Sequence, residues 1–492
     1  MTKLSNDLFN NGYGNTKYTF AGYPSIKIFE SPESKKWINH LLFGDYIEII
    51  SDEVLNNRIN IKSRNTIGWV NTSEIQKSRL LEVNFVDIGQ GDGCHIVTPD
   101  NKHILIDAGE TDNMNRYLNW RFNLYTKKNP LPFPFTVVIS HSDKDHYYGF
   151  SYVFDNNKIP IDKIYHNGLV ERPGKLPLGD VEDGFITGLV KNTKQMIEII
   201  GMAENRKGSG SMYCNTLYKA LNNNPEVEFI ALSNKDNYMN NFDSTYMIDN
   251  KPFAIKVLAP VITKTNGKDS LKTIKNLGKD KNGHSVILKI MFDKVKILLG
   301  GDVNTEFGEI LNDYYKKLGQ LDELKVDAAK ACHHGSNHFH YEFLESINAA
   351  ATVISSGDEE PYAHPRPDAI GALGKCGYGK KPLIFSTELA RSNKEFSRNN
   401  LKNLHKLMDD LNKIEIDLQA ETNEEKIIKL KAKKLKANKL INSHLTKYGM
   451  INLRTDGQRM ILAQKYEVEA KSGKWDIHEL VYSEKTKRFE LQ

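Results

Sequence analysis

Four metal-capable side chains fall within one short run, His141-Ser-Asp143-Lys-Asp145-His146. Imidazole and carboxylate together suit zinc, manganese or iron. Along an extended segment alternate side chains share a side, so His141, Asp143 and Asp145 point one way. His146 follows Asp145 where the chain turns, so these two neighbours can face a second ion. Taken alone, the run also fits a solvated loop rich in Asp and His. Other polar groups recur at the ends of apolar runs: Asp107 closes ILID, Asp302 closes ILLGGD, and His333-His334-Gly335-Ser336 follows VDAAKAC. A carboxylate at position 107 is costly to bury without a partner and is placed to orient a ligand histidine. One at position 302 can bridge two ions. His364, in AHPRP, precedes a helical stretch.

Delivering these groups to one place requires strands that end together. Residues 81–88, 94–98 and 103–107 read as strands, with the turn GQGDG between the first two. Residues 135–140 are nearly all apolar, as expected of a central strand buried on both faces. Strands at 285–290, 295–299, 326–331, 352–355 and 383–386 continue the series, with helices at 305–318 and 364–375. Strands alternating with helices predict a layered α/β domain that exposes working loops at strand carboxyl ends. Ahead of it, residues 25–29 and 46–50 alternate with period two and 67–70 close a small β domain over 22–79. A flexible tail is expected over 1–21. The polar stretch 167–281 reads as insertions and surface loops with a helix near 189–200. Leu401, Leu404, Met408, Leu411 and Leu418 then predict a helix, and 424–445 a second one, forming a helical hairpin over 397–446. Its second arm carries Lys426, Lys429, Lys431, Lys433, Lys434, Lys436 and Lys439 with no acid between them. Strand text at 450–453, 459–463 and 475–481 ends the chain.

Composition narrows the classes. The 492 residues predict several domains, and no apolar run is long enough to span a bilayer. The N-terminus lacks the apolar stretch of a secretory signal, so a cytoplasmic protein is expected. Lys plus Arg exceed Asp plus Glu by 67 to 62, a net charge of +5. The lysine-rich arm alone exceeds that sum, so the average hides a basic patch. Cys94, Cys214, Cys332 and Cys376 are widely spaced without a C-x-x-C pair, which excludes a disulfide framework and a cysteine zinc site.

The ordered set VDIGQGDG, ILIDAG, SHSDKDH, GGD, HHGS and AHPRP resembles the metallo-β-lactamase fold, an αββα sandwich. More narrowly it is similar to the soluble hydrolase domain of the competence protein ComEC, over about 80–165 and 282–390. The segment 22–79, with I-x-x-S-P from Ile28, FGD at Phe43–Asp45 and IGWV from Ile67, resembles a bacterial SH3-like domain. The transmembrane channel of ComEC has no counterpart. The resemblance implies a hydrolase core over 80–396, completed by strands over 447–492 and interrupted by the hairpin. It also implies two divalent ions, zinc or manganese. His141 and Asp143 would hold one, Asp145 and His146 the other. Asp302 would bridge them, one of His333 or His334 would complete a site, and Asp107 would support a ligand from behind. His166 stands either as a further ligand or as an ordinary surface histidine. His364 stands as a substrate-facing acid, a phosphate contact or simply a residue at a helix start. Asp145 would orient the attacking water, and Ser336 would offer a hydroxyl to a phosphate oxygen. The implied activity is a metal-dependent phosphodiesterase or nuclease acting on DNA, with a protein partner through the SH3-like domain or the hairpin. Two alternatives stand beside it: a hydrolase of a small phosphoester, cyclic nucleotide, ester or lactone, and a binding scaffold without catalysis.

Overall fold

Phe135–Val138 pairs in parallel with a strand on each side, His103–Ala108 and Ile161–His166, and Val137 and Val138 face different cores. Its apolar sequence follows from burial on both faces. The structure, a computed structural model, describes residues 2–12, 16–357, 362–387, 398–445 and 450–492. Around this strand a ten-stranded sheet runs from Glu228–Ala231 through Ile161–His166, Phe135–Val138, His103–Ala108, Gly93–Val97 and Leu81–Val86. It continues through Met450–Thr455, Arg459–Ala470, Gly473–Ser483 and Arg488–Leu491. A second sheet runs from Met247–Ile248 through Lys251–Ala259, Ile287–Phe292, Val295–Gly300, Ala328–Lys330 and Ala351–Ile354 to Leu383–Ser386.

The sheets share one apolar core, in which Val83, Ile104 and Val138 of the first meet Ile255, Ile290 and Val353 of the second. On the outer face of the first sheet, Leu105 and Ile164 pack on the helices Asn113–Arg121, Phe150–Phe154 and Met212–Asn223. On the outer face of the second, Ile287 and Leu298 pack on Thr305–Lys317 and Tyr341–Ile347. Period-two alternation produces this division, since neighbouring residues Ile104 and Leu105 enter different cores. The chain is thus a mixed α/β protein with two facing sheets and helices outside both. Among the described residues, no helix is long and apolar enough to cross a membrane.

Three expectations need correction or trimming. Residues 2–12 and 16–21 belong to the N-terminal antiparallel sheet instead of forming a loose tail. Lys17–Ala21 pairs with Tyr46–Leu55 and Ile75–Gln76, and Leu4 and Phe9 enter that sheet's core. The stretch 167–281 is more than surface loop. It supplies Lys251–Ala259, whose Phe253, Ile255 and Val257 alternate into the main core, and the edge strand Glu228–Ala231. The helical arms are Arg398–Ala420 and Glu424–Leu445, with Asn423 Oδ1 accepting from Lys426 N at 3.1 Å to cap the second. The boundary positions 396, 397, 446 and 447 and the side chains of Leu401 and Lys439 lie outside the described residues. The N-terminal sheet docks on the closing strands through Leu42, Phe43 and Leu80 against Ile461 and Ala463.

Candidate metal centre

Asp107 stands at the carboxyl end of His103–Ala108, Ser140 just past the end of Phe135–Val138 and His146 in the short helix Lys144–Tyr147 that follows, and the first link between them is a buried carboxylate. Asp107 is 1% exposed and sits at φ 54°, a left-handed conformation that Asp tolerates through its short polar side chain. Its Oδ1 accepts from Ser140 N at 2.8 Å, and its Oδ2 accepts from Ser140 Oγ at 2.6 Å and His146 Nδ1 at 2.8 Å. With its proton on Nδ1, His146 presents the lone pair of Nε2. His334 is fixed in the same sense, because its Nδ1 donates to the Ser355 carbonyl oxygen at 3.2 Å. The two Nε2 atoms lie 3.1 Å apart, and Asp302 Oδ2 is 3.2 Å from one and 3.0 Å from the other.

His146 Nε2, His334 Nε2 and Asp302 Oδ2 therefore converge within 3.2 Å of one another. Their spacing is close to the edge of a tetrahedron around an ion bonded at about 2.0–2.1 Å, roughly 3.3 Å. Asp92 stands beside this trio, its Oδ1 3.0 Å from His334 Nδ1, and one donor atom from each of Asp92, His146, Asp302 and His334 lies within 4.8 Å of the others. All four residues are buried, and Asp302 Oδ1 has no hydrogen-bond partner. Burial disfavours charged imidazoles here, but Asp302 and Asp107 more than reverse this and hold the His146 pKa well above its ordinary value. Asp302 and Asp92 likewise raise His334 against burial to about 10. Two imidazolium N–H groups would meet head-on across 3.1 Å, so at most one proton fits between the rings, and a single cation can take its place. This buried Asp/His group could hold a metal ion.

Two local devices shape it. His333 and His334 are consecutive residues in the left-handed region, at φ 54° and 52°, each costing roughly 1–2 kcal/mol. The resulting turn sends His334 into the cluster and leaves His333 Nε2 at 3.9 Å from Asp302 Oδ2. Burial, helped by the neighbouring His334, His364 and His141 and opposed by Asp302, pushes the His333 pKa down to about 4. Gly91, at φ 102°, lets the turn before Asp92 press against the HSDKDH loop, for a Cβ there would lie 1.7 Å from the Asp145 carbonyl oxygen.

The structure gathers His146, Asp302 and His334 of the expected ligands, with Asp107 behind His146. Of the histidine pair, His334 is the cluster member. Asp145 stands at the edge, its Oδ2 3.8 Å from His334 Nε2. His141 and Asp143 pair with each other, Nε2 to Oδ2 at 3.7 Å, and Asp143 Oδ1 contacts the Lys281 ammonium. His166 is fully buried, not a surface histidine, and stays outside the cluster. Its Nδ1 accepts from Gly168 N at 3.1 Å, so Nε2 carries the proton and offers no lone pair to an ion. Burial pushes its pKa down to about 4. Ser336 and His364 line a cleft of about 680 Å³ above the cluster, together with Asp145, Lys144, Tyr362 and Arg366.

Two members went unread in the sequence. Asp92 lies inside the GQGDG turn, where glycines on both sides were the available signal. Lys330 is a buried lysine in the apolar run VDAAKAC, ion-paired with Asp92, and its Nζ lies 4.0 Å from Asp302 Oδ1. Burial opposes its charge, and Asp92 and Asp302 restore it. Compared with known proteins, the chain matches no family model and no curated protein.

Proposed function

We propose that the chain is a metal-dependent phosphodiesterase of metallo-β-lactamase type, akin to the ComEC hydrolase domain, acting on nucleic acid and on DNA first. The observation that carries this reading is the convergence of His146 Nε2, His334 Nε2 and Asp302 Oδ2 at the floor of an open cleft. The two facing sheets with helices outside and the order of strand-end motifs support the family part. Zinc fits the two imidazoles, and manganese gains from the carboxylates Asp92, Asp145 and Asp302. When bound, such an ion lowers the pKa of a coordinated water and neutralises charge on a phosphoryl oxygen.

The chain's own groups do the rest. Asp107 keeps the His146 proton on Nδ1. Asp145, a fifth exposed, stands where it would orient the water and accept its proton. Ser336 Oγ and the exposed Arg366 at the cleft rim would bind non-bridging phosphate oxygens. Nucleic acid is favoured over a small ester by the lysine arm, where Lys426, Lys429, Lys431, Lys433 and Lys436 are exposed along one helix. The test incubates single-stranded DNA with protein and Mn²⁺, comparing wild type with Asp145→Ala and His146→Ala. Wild type should cut and both variants should fail. An inert wild type, or variants equal to it, would sink the proposal. Hydrolysis of bis(4-nitrophenyl) phosphate without DNA cleavage or salt-sensitive DNA binding would move the substrate to a small phosphoester.

A further inference from the structure

The neighbouring pair His141 and Asp143 already has a cation. Lys281, 12% exposed, contacts Asp143 Oδ1 and lies 3.2 Å from Glu171 Oε2. The other oxygen of Asp143 lies 3.7 Å from His141 Nε2 and receives the Asn282 side-chain amide at 2.6 Å once that amide is oriented to donate. The tautomer of His141 follows from its partners. Ser140 Oγ gives its one hydrogen to Asp107 Oδ2, and Ser285 Oγ gives its own to the Asn282 carbonyl oxygen at 2.7 Å. Both hydroxyls therefore accept from His141 Nδ1, at 3.0 and 3.2 Å, and Nε2 holds a lone pair facing Asp143.

This pair offers only two donors, and a stable divalent site takes three or four protein ligands. His166, the further candidate from the sequence, has its Nδ1 accepting from Gly168 N and so carries its proton on Nε2. The anionic charge of Asp143 is neutralised by an ammonium that also spans to Glu171, so a second ion would have to displace Lys281 and leave it buried between nothing but the ion and Glu171. We propose that the centre takes a single divalent ion, at His146, His334, Asp302 and the adjoining aspartates. Lys281 is the permanent cation of the His141–Asp143 pair and occupies the place of a second ion. It acts as a positioning residue: it fixes Asp143, which lines the cleft, without touching the ion. The inference rests on the metal reading above.

Metal content of the full chain, dialysed against Mn²⁺ and measured by mass spectrometry, should be one per chain, with an electron paramagnetic resonance spectrum free of exchange coupling. Lys281→Met, which frees the Glu171 carboxylate as a third donor beside His141 and Asp143, should raise the content toward two and introduce a coupled Mn²⁺ pair. Asp143→Asn, which keeps the fold's volume, should leave one ion bound with the same affinity. Two ions in the wild type, a Lys281→Met protein that folds yet stays at one, or loss of the ion in Asp143→Asn would each overturn the proposal. No bound ion at all in the wild type would instead remove the metal reading on which it depends.

Discussion

Replacing Asp107 by Asn tests the centre through a residue that would never touch the ion. Asn accepts the left-handed φ of 54° as readily as Asp, so backbone strain is unchanged and only the hydrogen-bond chemistry differs. The carboxylate receives three donors: Ser140 N, Ser140 Oγ and His146 Nδ1. An amide has one accepting oxygen and one donating nitrogen. If the oxygen faces His146, the amide nitrogen meets Ser140 N–H and leaves a buried donor unpaired. If the nitrogen faces His146, Nδ1 must accept, the ring proton moves to Nε2, and the lone pair aimed at Asp302 and His334 is lost. The first arrangement costs about 1–3 kcal/mol of stability. The second lowers metal affinity by about 10–100-fold, the range for supporting carboxylates, or about 1.4–2.8 kcal/mol at ~1.4 kcal/mol per decade. Calorimetric titration with Zn²⁺ and urea unfolding of the metal-free protein separate the two. A variant with affinity within twofold of wild type and unchanged unfolding would refute the orienting role of Asp107.

Metal affinity should rise with pH. His334 is held up to about 10 from an ordinary 6.5, so in the metal-free protein its protonation stabilises the fold fully below about 6.5, and that contribution fades as pH climbs toward about 10. A metal ion must displace that proton, so titrations in buffers of different ionisation heat should show proton release within the window; a flat affinity there contradicts the assignment. Gly91→Ala should abolish metal binding while circular dichroism stays near wild type, because the added Cβ, 1.7 Å from the Asp145 carbonyl oxygen, forces the turn carrying Asp92 away. Unchanged binding would show that this loop is not needed. Glu82→Gln should destabilise the chain by about 3–5 kcal/mol in urea unfolding, because it strips the charge partner from buried Arg454 and from Arg121, which donates to Glu82 Oε2 at 2.6 Å. A loss below about 1 kcal/mol would mean these guanidiniums are satisfied elsewhere.

The central strands were legible because both faces are buried: 135–140 and 295–299 read as apolar runs and appear as Phe135–Val138 and Val295–Gly300. Leu383–Ser386 and the two helical arms were legible for similar reasons of pattern and period. Lys251–Ala259 was not, although it lies in the core, because its Pro and two lysines dilute the alternation of Phe253, Ile255 and Val257. The first twenty residues misled for another reason. Leu4 and Phe9 are isolated apolar residues, and the strand Thr2–Lys3 beside Leu4 pairs with Glu53 and Val54, some fifty residues away on Tyr46–Leu55. Local composition carries no record of such pairings.

Residue type and placement near strand ends marked, from sequence alone, His146, Asp302 and the His333–His334 pair as candidate ligands with Asp107 behind them, and the structure brings His146, Asp302 and His334 together. Local chemistry sufficed there, since a polar group closing an apolar run has few places to go. Tertiary structure decided which donors meet. Consecutive left-handed residues chose His334 over His333, and a backbone N–H from Gly168 set the tautomer that removes His166. Asp92 and Lys330 arrived from elements 238 residues apart. Lys281 reached Asp143 across 138 residues of chain. Ligation depends on lone-pair direction and on which charges share a buried space, and both are properties of the packed fold.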